Sequence, residues 1–269
     1  MSCDFGVAPA ADVDNALDAL ERYRQMWAHP RSGAVSPVVG DFVAAVNSHD
    51  NGDDLVVTIA DSRGAVLRVE GPGRNRHLHT VLELSKQRDL VVLDVQTGHL
   101  YDPRGHVDAM VTVGDGRTLP YLTAALVEDF VVAGTDPDDP FLVVARDDDT
   151  YIGARRHEWV YELEHRAGST AEHFRVYTTM HTVVRAVIWA WATGDPSWSV
   201  ALPWRRVDPG SPGIEAASGA EILLDELSSM ATGLTVDRLA LLDTFLSARD
   251  TPVPMLDPNR HRPDDEAAQ

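Results

Sequence analysis

The stretch from His173 to Trp204, HFRVYTTMHTVVRAVIWAWATGDPSWSVALPW, decides how the rest of the chain is read. His173 to Tyr177 reads as a strand, and Met180, Val183, Val184, Val187, Ile188 and Trp191 then recur at the three-and-four spacing of one helical stripe. Thr178 or Thr179 offers an N-cap oxygen and Gly194 a C-terminal stop. Trp198, Leu202, Pro203 and Trp204 make an aromatic return. A helix with one apolar face, entered directly from a strand, needs a sheet to cover. At ~100° per residue, Trp189 falls opposite the stripe beside Thr182 and Arg185, so a second element covers it or it stands exposed.

Working upstream, the strands of that sheet are predicted at Phe141 to Ala145, Tyr151 to Arg155 and Trp159 to Leu163. Trp159, Tyr161 and Leu163 alternate with Val160, Glu162 and Glu164, which fits an antiparallel meander solvated on one side. A helix is predicted from Leu119, with Pro120 in its first turn and Leu122, Leu126 and Phe130 on one face.

The first half predicts an opening helix on Val13, Ala16, Leu17, Leu20, Arg24 and Trp27, closed by Pro30, and a second helix from Pro37 to Val46. Leu55 to Ile59 and Val66 to Glu70 read as a hairpin turning at Asp61 to Gly64. A helix bearing Leu78, Val81 and Leu82 follows, and then Leu90 to Leu93, apolar on consecutive residues like a strand buried on both faces. The expected fold is α+β, with two helix-on-sheet domains at 1–106 and 107–207, the second an antiparallel meander crossed by one amphipathic helix. A linker with two short helices is expected at 208–250, and a flexible tail at 251–269.

The 269 residues carry 42 acids against 23 basic residues, a formal charge of −19, which argues against direct binding of nucleic acid or of an anionic membrane. The same charge suits a basic protein partner. Cys3 is the sole cysteine, so an internal disulfide and a thiolate metal cluster are excluded. Neither a leader peptide nor a run of about 18 apolar residues is visible, and the expectation is a cytoplasmic protein.

His157, His165, His173 and His181 recur every eight residues, but a metal needs donors converging on one point, and these fall on different elements. Gly71-Pro72-Gly73-Arg74 lacks both the amide and the lysine of a phosphate loop. Glu162 and Glu164 share a strand face, where carboxylates are as often solvated as catalytic. The expectation is therefore no metal, no cofactor and no enzymatic activity. Residues 107–149 hold ten acids against Arg117 and Arg146, eight net negative charges expected at one end of the second domain. Asp136, Asp138, Asp139, Asp147, Asp148 and Asp149, with Trp189, are the candidate partner-binding residues. Trp159, Tyr161, Glu162, Gly168, Trp198 and Trp204 are expected to hold the scaffold, the tryptophans as core or edge anchors.

The segment from about Leu119 to Trp204 resembles the family numbered one among the immunity proteins of bacterial polymorphic toxin systems. The likeness lies in the leading helix, the hairpin Phe141 to Val144 with Thr150 to Ile152, the run Tyr161-Glu162-Leu163-Glu164-His165-Arg166-Ala167-Gly168, Gly194-Asp195, Trp198 and Leu202-Pro203-Trp204. The first half, with Val95 to Pro103, looks like a small-domain type found in actinobacterial genomes without assigned chemistry. The resemblance implies a protein that binds and occludes a cognate toxin domain, often a nucleic-acid deaminase or nuclease, without turnover. Two other functions suit the same residues. An adaptor or chaperone for a secreted protein would be betrayed by a neighbouring secretion cluster rather than a toxin gene, and an enzyme by a pocket of convergent histidine and carboxylate side chains.

Overall fold

The computed structural model describes residues 3–29, 34–49, 55–70, 73–132 and 140–207. The fold is α+β, built on two antiparallel sheets. The first has strand order β2-β3-β1-β4-β5 and uses β1 (Cys3–Pro9), β2 (Leu55–Asp61), β3 (Gly64–Val69), β4 (Leu90–Asp94) and β5 (His99–Tyr101). Helices α1 (Ala16–Ala28), α2 (Pro37–His49) and α3 (Arg74–Lys86) accompany it. Phe5, Val7, Leu67 and Val92 pack on one side with Phe42, Val46, Leu78 and Val81 of α2 and α3. Ala8, Val91 and Leu93 pack on the other side with Ala19 of α1. As its consecutive apolar residues predict, β4 is buried at every position.

The central strand β1 is absent from the sequence-based expectation. Its signal is weak because its only two large apolar residues, Phe5 and Val7, both fully buried, are followed by the small Gly6 and Ala8. In α1 the expected face is corrected as well. Asn15 caps the helix by accepting from the Leu17 and Asp18 amides, and the helix buries Ala19 and Met26. Leu17 is 77 % exposed. Arg24 sits within the stripe drawn through Leu17 and Leu20, and the sheet takes the neighbouring face instead.

The second sheet runs β12-β11-β10-β9-β8-β6-β7. Its strands are β6 (Val107–Val113), β7 (Thr118–Leu122), β8 (Phe141–Asp147), β9 (Thr150–His157), β10 (Val160–Ala167), β11 (His173–Thr178) and β12 (Arg205–Arg206). β8 to β11 form the predicted meander. Helix α4 is Ala124–Val132, α5 is His181–Thr193 and the short α6 is Trp198–Ala201. α5 lies across β6, β9, β10 and β11, burying Val183, Val184, Val187, Ile188 and Trp191. It ends at Gly194, whose φ of 76° is the left-handed conformation that favours glycine. Met180, expected on the stripe, is instead the N-cap residue and 44 % exposed, with its amide donating to the Thr178 hydroxyl.

The helix predicted from Leu119 is corrected too. Leu119 to Leu122 belong to β7, and α4 begins only at Ala124, where Thr123 Oγ1 accepts from the Leu126 amide. Pro120 suits a helix start but is equally at home on an edge strand with an irregular ladder. β7 is such an edge, and its register against β6 shifts between Asp108 and Val111.

Strands of the first sheet all lie before residue 106 and those of the second all after it, yet the apolar core is continuous from Phe5 to Leu202. α3 packs on β7 and carries the core across. Arg117 strengthens the seam: it is buried, pairs with Asp115, donates to the Tyr101 hydroxyl at 2.5 Å and lies 5.5 Å from the Phe130 ring. His99 stacks on the same ring, and burial lowers its pKa to about 4.

Among the described residues no helix is long and apolar enough to cross a membrane. The helices expected at 208–250 and the tail expected at 251–269 lie outside the described residues, as do Pro30, Asp136, Asp138 and Asp139.

Candidate functional site

Helices α4, α5 and α6 lie on one face of the second sheet, and among the described residues no helix packs on the other face of the meander. Period-two alternation divides the side chains between the two. Leu142, Val144, Ile152, Tyr161, Leu163 and Val176 turn toward the helices and are buried. Phe141 and Val143, Tyr151 and Arg155, Glu162 and Glu164, and Arg175 take the open face, where they line a hollow of about 300 Å³. Gly153 lies at its centre, opposite Val143 on one neighbouring strand and Glu164 on the other. Having no side chain, it leaves the floor clear.

The floor is an ion network. Arg175 Nε is 2.8 Å from Glu162 Oε1, and the same guanidinium also pairs with Glu164. His157 Nε2 hydrogen-bonds Glu162 Oε2 at 2.9 Å, and His173 Nε2 hydrogen-bonds Glu164 Oε2 at 3.3 Å. The two carboxyl groups lie side by side on the one guanidinium of Arg175. Burial pushes both carboxyls up. For Glu162 that effect, helped by the nearness of Glu164, prevails over the Arg175 charge, and its pKa is raised. For Glu164 the Arg175 charge and hydrogen bonds from Glu162 and Arg175 outweigh burial, and its pKa is lowered. Of the pair, Glu162 is the one that holds its proton to higher pH and Glu164 the one that ionises first. Burial beside Glu162 raises the Tyr177 hydroxyl to about 12.

Such a floor can hold a cation, hydrogen-bond a polar group, or pass a proton between its two carboxyls. Among the described residues, no group of three or more His, Cys, Asp or Glu is arranged to hold a metal ion. Of the four evenly spaced histidines, the fold brings only His157 and His173 to this face. His165 points to the other face, within 5 Å of the Phe174, Trp198 and Trp204 rings, and burial lowers its pKa to about 4. His181 is exposed at the start of α5.

The expected scaffold residues divide in the same way. Tyr161 donates its hydroxyl to the Val131 carbonyl at 3.1 Å, Gly168 turns at a φ of 84°, and Trp198 and Trp204 enclose His165. Glu162 belongs to the hollow. Trp159 is not a strand residue: it sits with Glu158, at a φ of 55°, in the two-residue turn between β9 and β10 and is 46 % exposed. Trp189 is half-buried and packs against the edge of the core.

Asp147, Asp148 and Asp149 are exposed at the β8–β9 turn. Of the other acids counted in residues 107–149, Asp136, Asp138 and Asp139 lie outside the described residues, and three of the rest have basic partners. Asp108 binds Lys86, Asp115 binds Arg117 and Glu128 binds Arg185. Lys86 and Arg185 lie outside residues 107–149 and reach in from α3 and α5.

Arg175, His157, His173, Tyr151 and Gly153 were not recognised as one site from the sequence. Their signal was the shared parity of Tyr151, Gly153, Arg155 and His157 with Glu162 and Glu164 across a two-residue turn, and of Arg175 facing Glu164 across the next.

No protein-family model matches the chain, no curated protein is detectably similar to it, and no solved structure is detectably similar to it.

Proposed function

We propose that this chain is a toxin-neutralising immunity protein, acting inside the cell by binding and occluding a basic toxin domain. The observation that carries the reading is the exposed Asp147-Asp148-Asp149 turn on a chain of formal charge −19. Asp149 pairs with Arg166 at 2.9 Å, and Asp147 and Asp148 make no ion pair among the described residues. Negative groups displayed at a hairpin tip accelerate encounter with a basic partner. The resemblance of residues 119–204 to immunity proteins supports the same role. The test is to express a toxin domain encoded beside this gene with and without the full chain. The chain restores growth and binds the domain, and reversing the three aspartates to lysine slows association and flattens its salt dependence. A chain that neither binds nor rescues overturns the proposal.

A second reading, an enzyme, is favoured by one observation: two adjacent carboxyls whose pKa values are driven apart in a hollow that His157 also lines. Glu164→Gln separates the two. Loss of protection with binding intact favours turnover, whereas protection and binding that persist or fall together favour occlusion.

A further inference from the structure

We propose that the hollow on the open face of the second sheet binds the base of a nucleoside, an uncharged planar ring with hydrogen-bonding edges. The inference goes beyond the immunity role and does not depend on it.

Shape comes first. The hollow is the gap that one missing side chain leaves in a pleated face. Gly153 is its centre, Tyr151 and Arg155 flank it along β9, and Val143 on β8 and Glu164 on β10 stand opposite it. Four residues of strand span about 13 Å and two ladder spacings about 10 Å, so the gap is broad and suits a flat guest lying over the glycine. Its volume of about 300 Å³ is at the small end of the roughly 300–1,000 Å³ typical of small-molecule pockets. A side chain at position 153 would begin 3.4 Å from Val143 Cγ2 and occupy the same space.

Charge comes next. The guanidiniums of Arg155 and Arg175 stand against the carboxyls of Glu162 and Glu164, and their formal charges cancel. A charged guest of either sign therefore meets no excess of the opposite sign, whereas a neutral guest leaves the balance intact. The same groups still have hydrogen bonds to offer, because a carboxylate oxygen accepts more than one and a guanidinium carries five N–H donors.

The two sides of the gap then select the kind of neutral guest. Phe141, Val143 and Tyr151 make one side apolar and aromatic, and Glu162, Glu164 and Arg175 make the other polar. A base presents a π face to the first and an edge of donors and acceptors to the second. A sugar lacks the π face, and a phenol or indole has a single polar atom. A nucleoside also carries no phosphate, so the formal charge of −19 that opposes a nucleic-acid backbone does not oppose it.

The experiment titrates the full chain with adenosine, inosine, cytidine and uridine in turn, followed by calorimetry and by carboxyl carbon shifts in protein labelled at glutamate. Ribose and purine riboside, whose base has acceptors on its edge but no donor, serve as controls. At least one of the four nucleosides is expected to saturate at about 1 mM and to move the Glu162 and Glu164 signals. Purine riboside binds at least threefold more weakly than that nucleoside, and ribose does not saturate. Gly153→Val, a β-branched residue at ease in a strand, fills the gap and weakens binding at least tenfold, with a melting curve as the check on folding. Tyr151→Ala, which removes the aromatic side, weakens it about fivefold. Arg185→Gln, on the helix-covered side, binds like the wild type. Saturation by none of the four, saturation by ribose, equal binding of purine riboside, or binding untouched by Gly153→Val and Tyr151→Ala overturns the proposal. A hollow already filled by the chain's own residues beyond 207 or by a second copy gives no saturation, and so counts against it. Toxin association measured on the same chain keeps the two claims apart. Toxin binding without nucleoside binding removes only this inference, and nucleoside binding by a chain that ignores the toxin removes only the immunity role.

Discussion

Neighbouring residues of β10 face two different worlds. On the helix-covered side, His165 lies among Phe174, Trp198 and Trp204, and its buried Nδ1 has no hydrogen-bond partner among the described residues. On the open side, Glu164 is held by Arg175 and His173 while Glu162 is held by Arg175 and His157. Both sides remove ionisable groups from water. One does so with rings, which favour the uncharged imidazole, and the other with opposite charges, which let a carboxylate and a guanidinium remain ionised. The contrast teaches that burial and neighbours decide protonation together: Arg175 holds Glu164 low, while burial beside Glu164 holds Glu162 high.

The strongest way to break this contrast is to remove the shared cation. Arg175→Ala leaves two largely buried carboxyls without their common partner and is expected to cost about 3 kcal/mol. The loss should shrink in acid, since protonated carboxyls no longer need Arg175. Chemical denaturation at pH 7 and pH 4 checks both statements, and an equal loss at the two pH values would show that packing rather than charge is at stake.

The ring-lined side sharpens the comparison through acid. His165 and His99 both titrate near 4 in the folded chain, against about 6.5 when unfolded. Their folded pKa values are depressed, so the unfolded chain binds more protons between those limits. Their contribution to stability is complete above pH 6.5 and is lost as pH falls toward 4, by up to about 3 kcal/mol for each histidine. His165→Phe should remove its share of that slope and leave the share of His99. A variant whose slope equals that of the wild type would contradict the assignment.

The smallest effect separates the two carboxyls. Glu164 has a lowered folded pKa, so it adds stability above the ordinary carboxylate range and loses it as pH falls; Glu162, raised, has the opposite sign. At pH 7, Glu164→Gln is therefore expected to cost about 1 kcal/mol more than Glu162→Gln, a gap that closes in acid. Melting curves of the two variants side by side decide it.

Long, strongly patterned elements were legible in the sequence. The α5 stripe from Val183 to Trp191, the meander and the buried β4 all follow from spacing, because each buries a face that the period marks out. Weak or ambiguous local signals were not. Leu119 to Leu122 fits a helix start as well as a strand, and only the edge position beside β6 decides between them. Trp159 continues the alternation of Tyr161 and Leu163, yet the chain turns at Glu158, in a positive-φ conformation that its residue type does not announce. For the hollow, Glu162 and Glu164 were legible as a pair on one face. Their convergence with His157, His173 and Arg175 depends on strand register, which no single strand contains.

Pro120 has a consequence for how these molecules meet one another. A row of free amides and carbonyls along a border strand invites a foreign strand to zip onto it, the usual first step toward fibrous aggregates. At β7 that row is interrupted by a residue with no amide hydrogen, set where the ladder is already out of step, and α3 leans against the same strand. The seven-stranded sheet is thereby guarded at this border against indefinite growth.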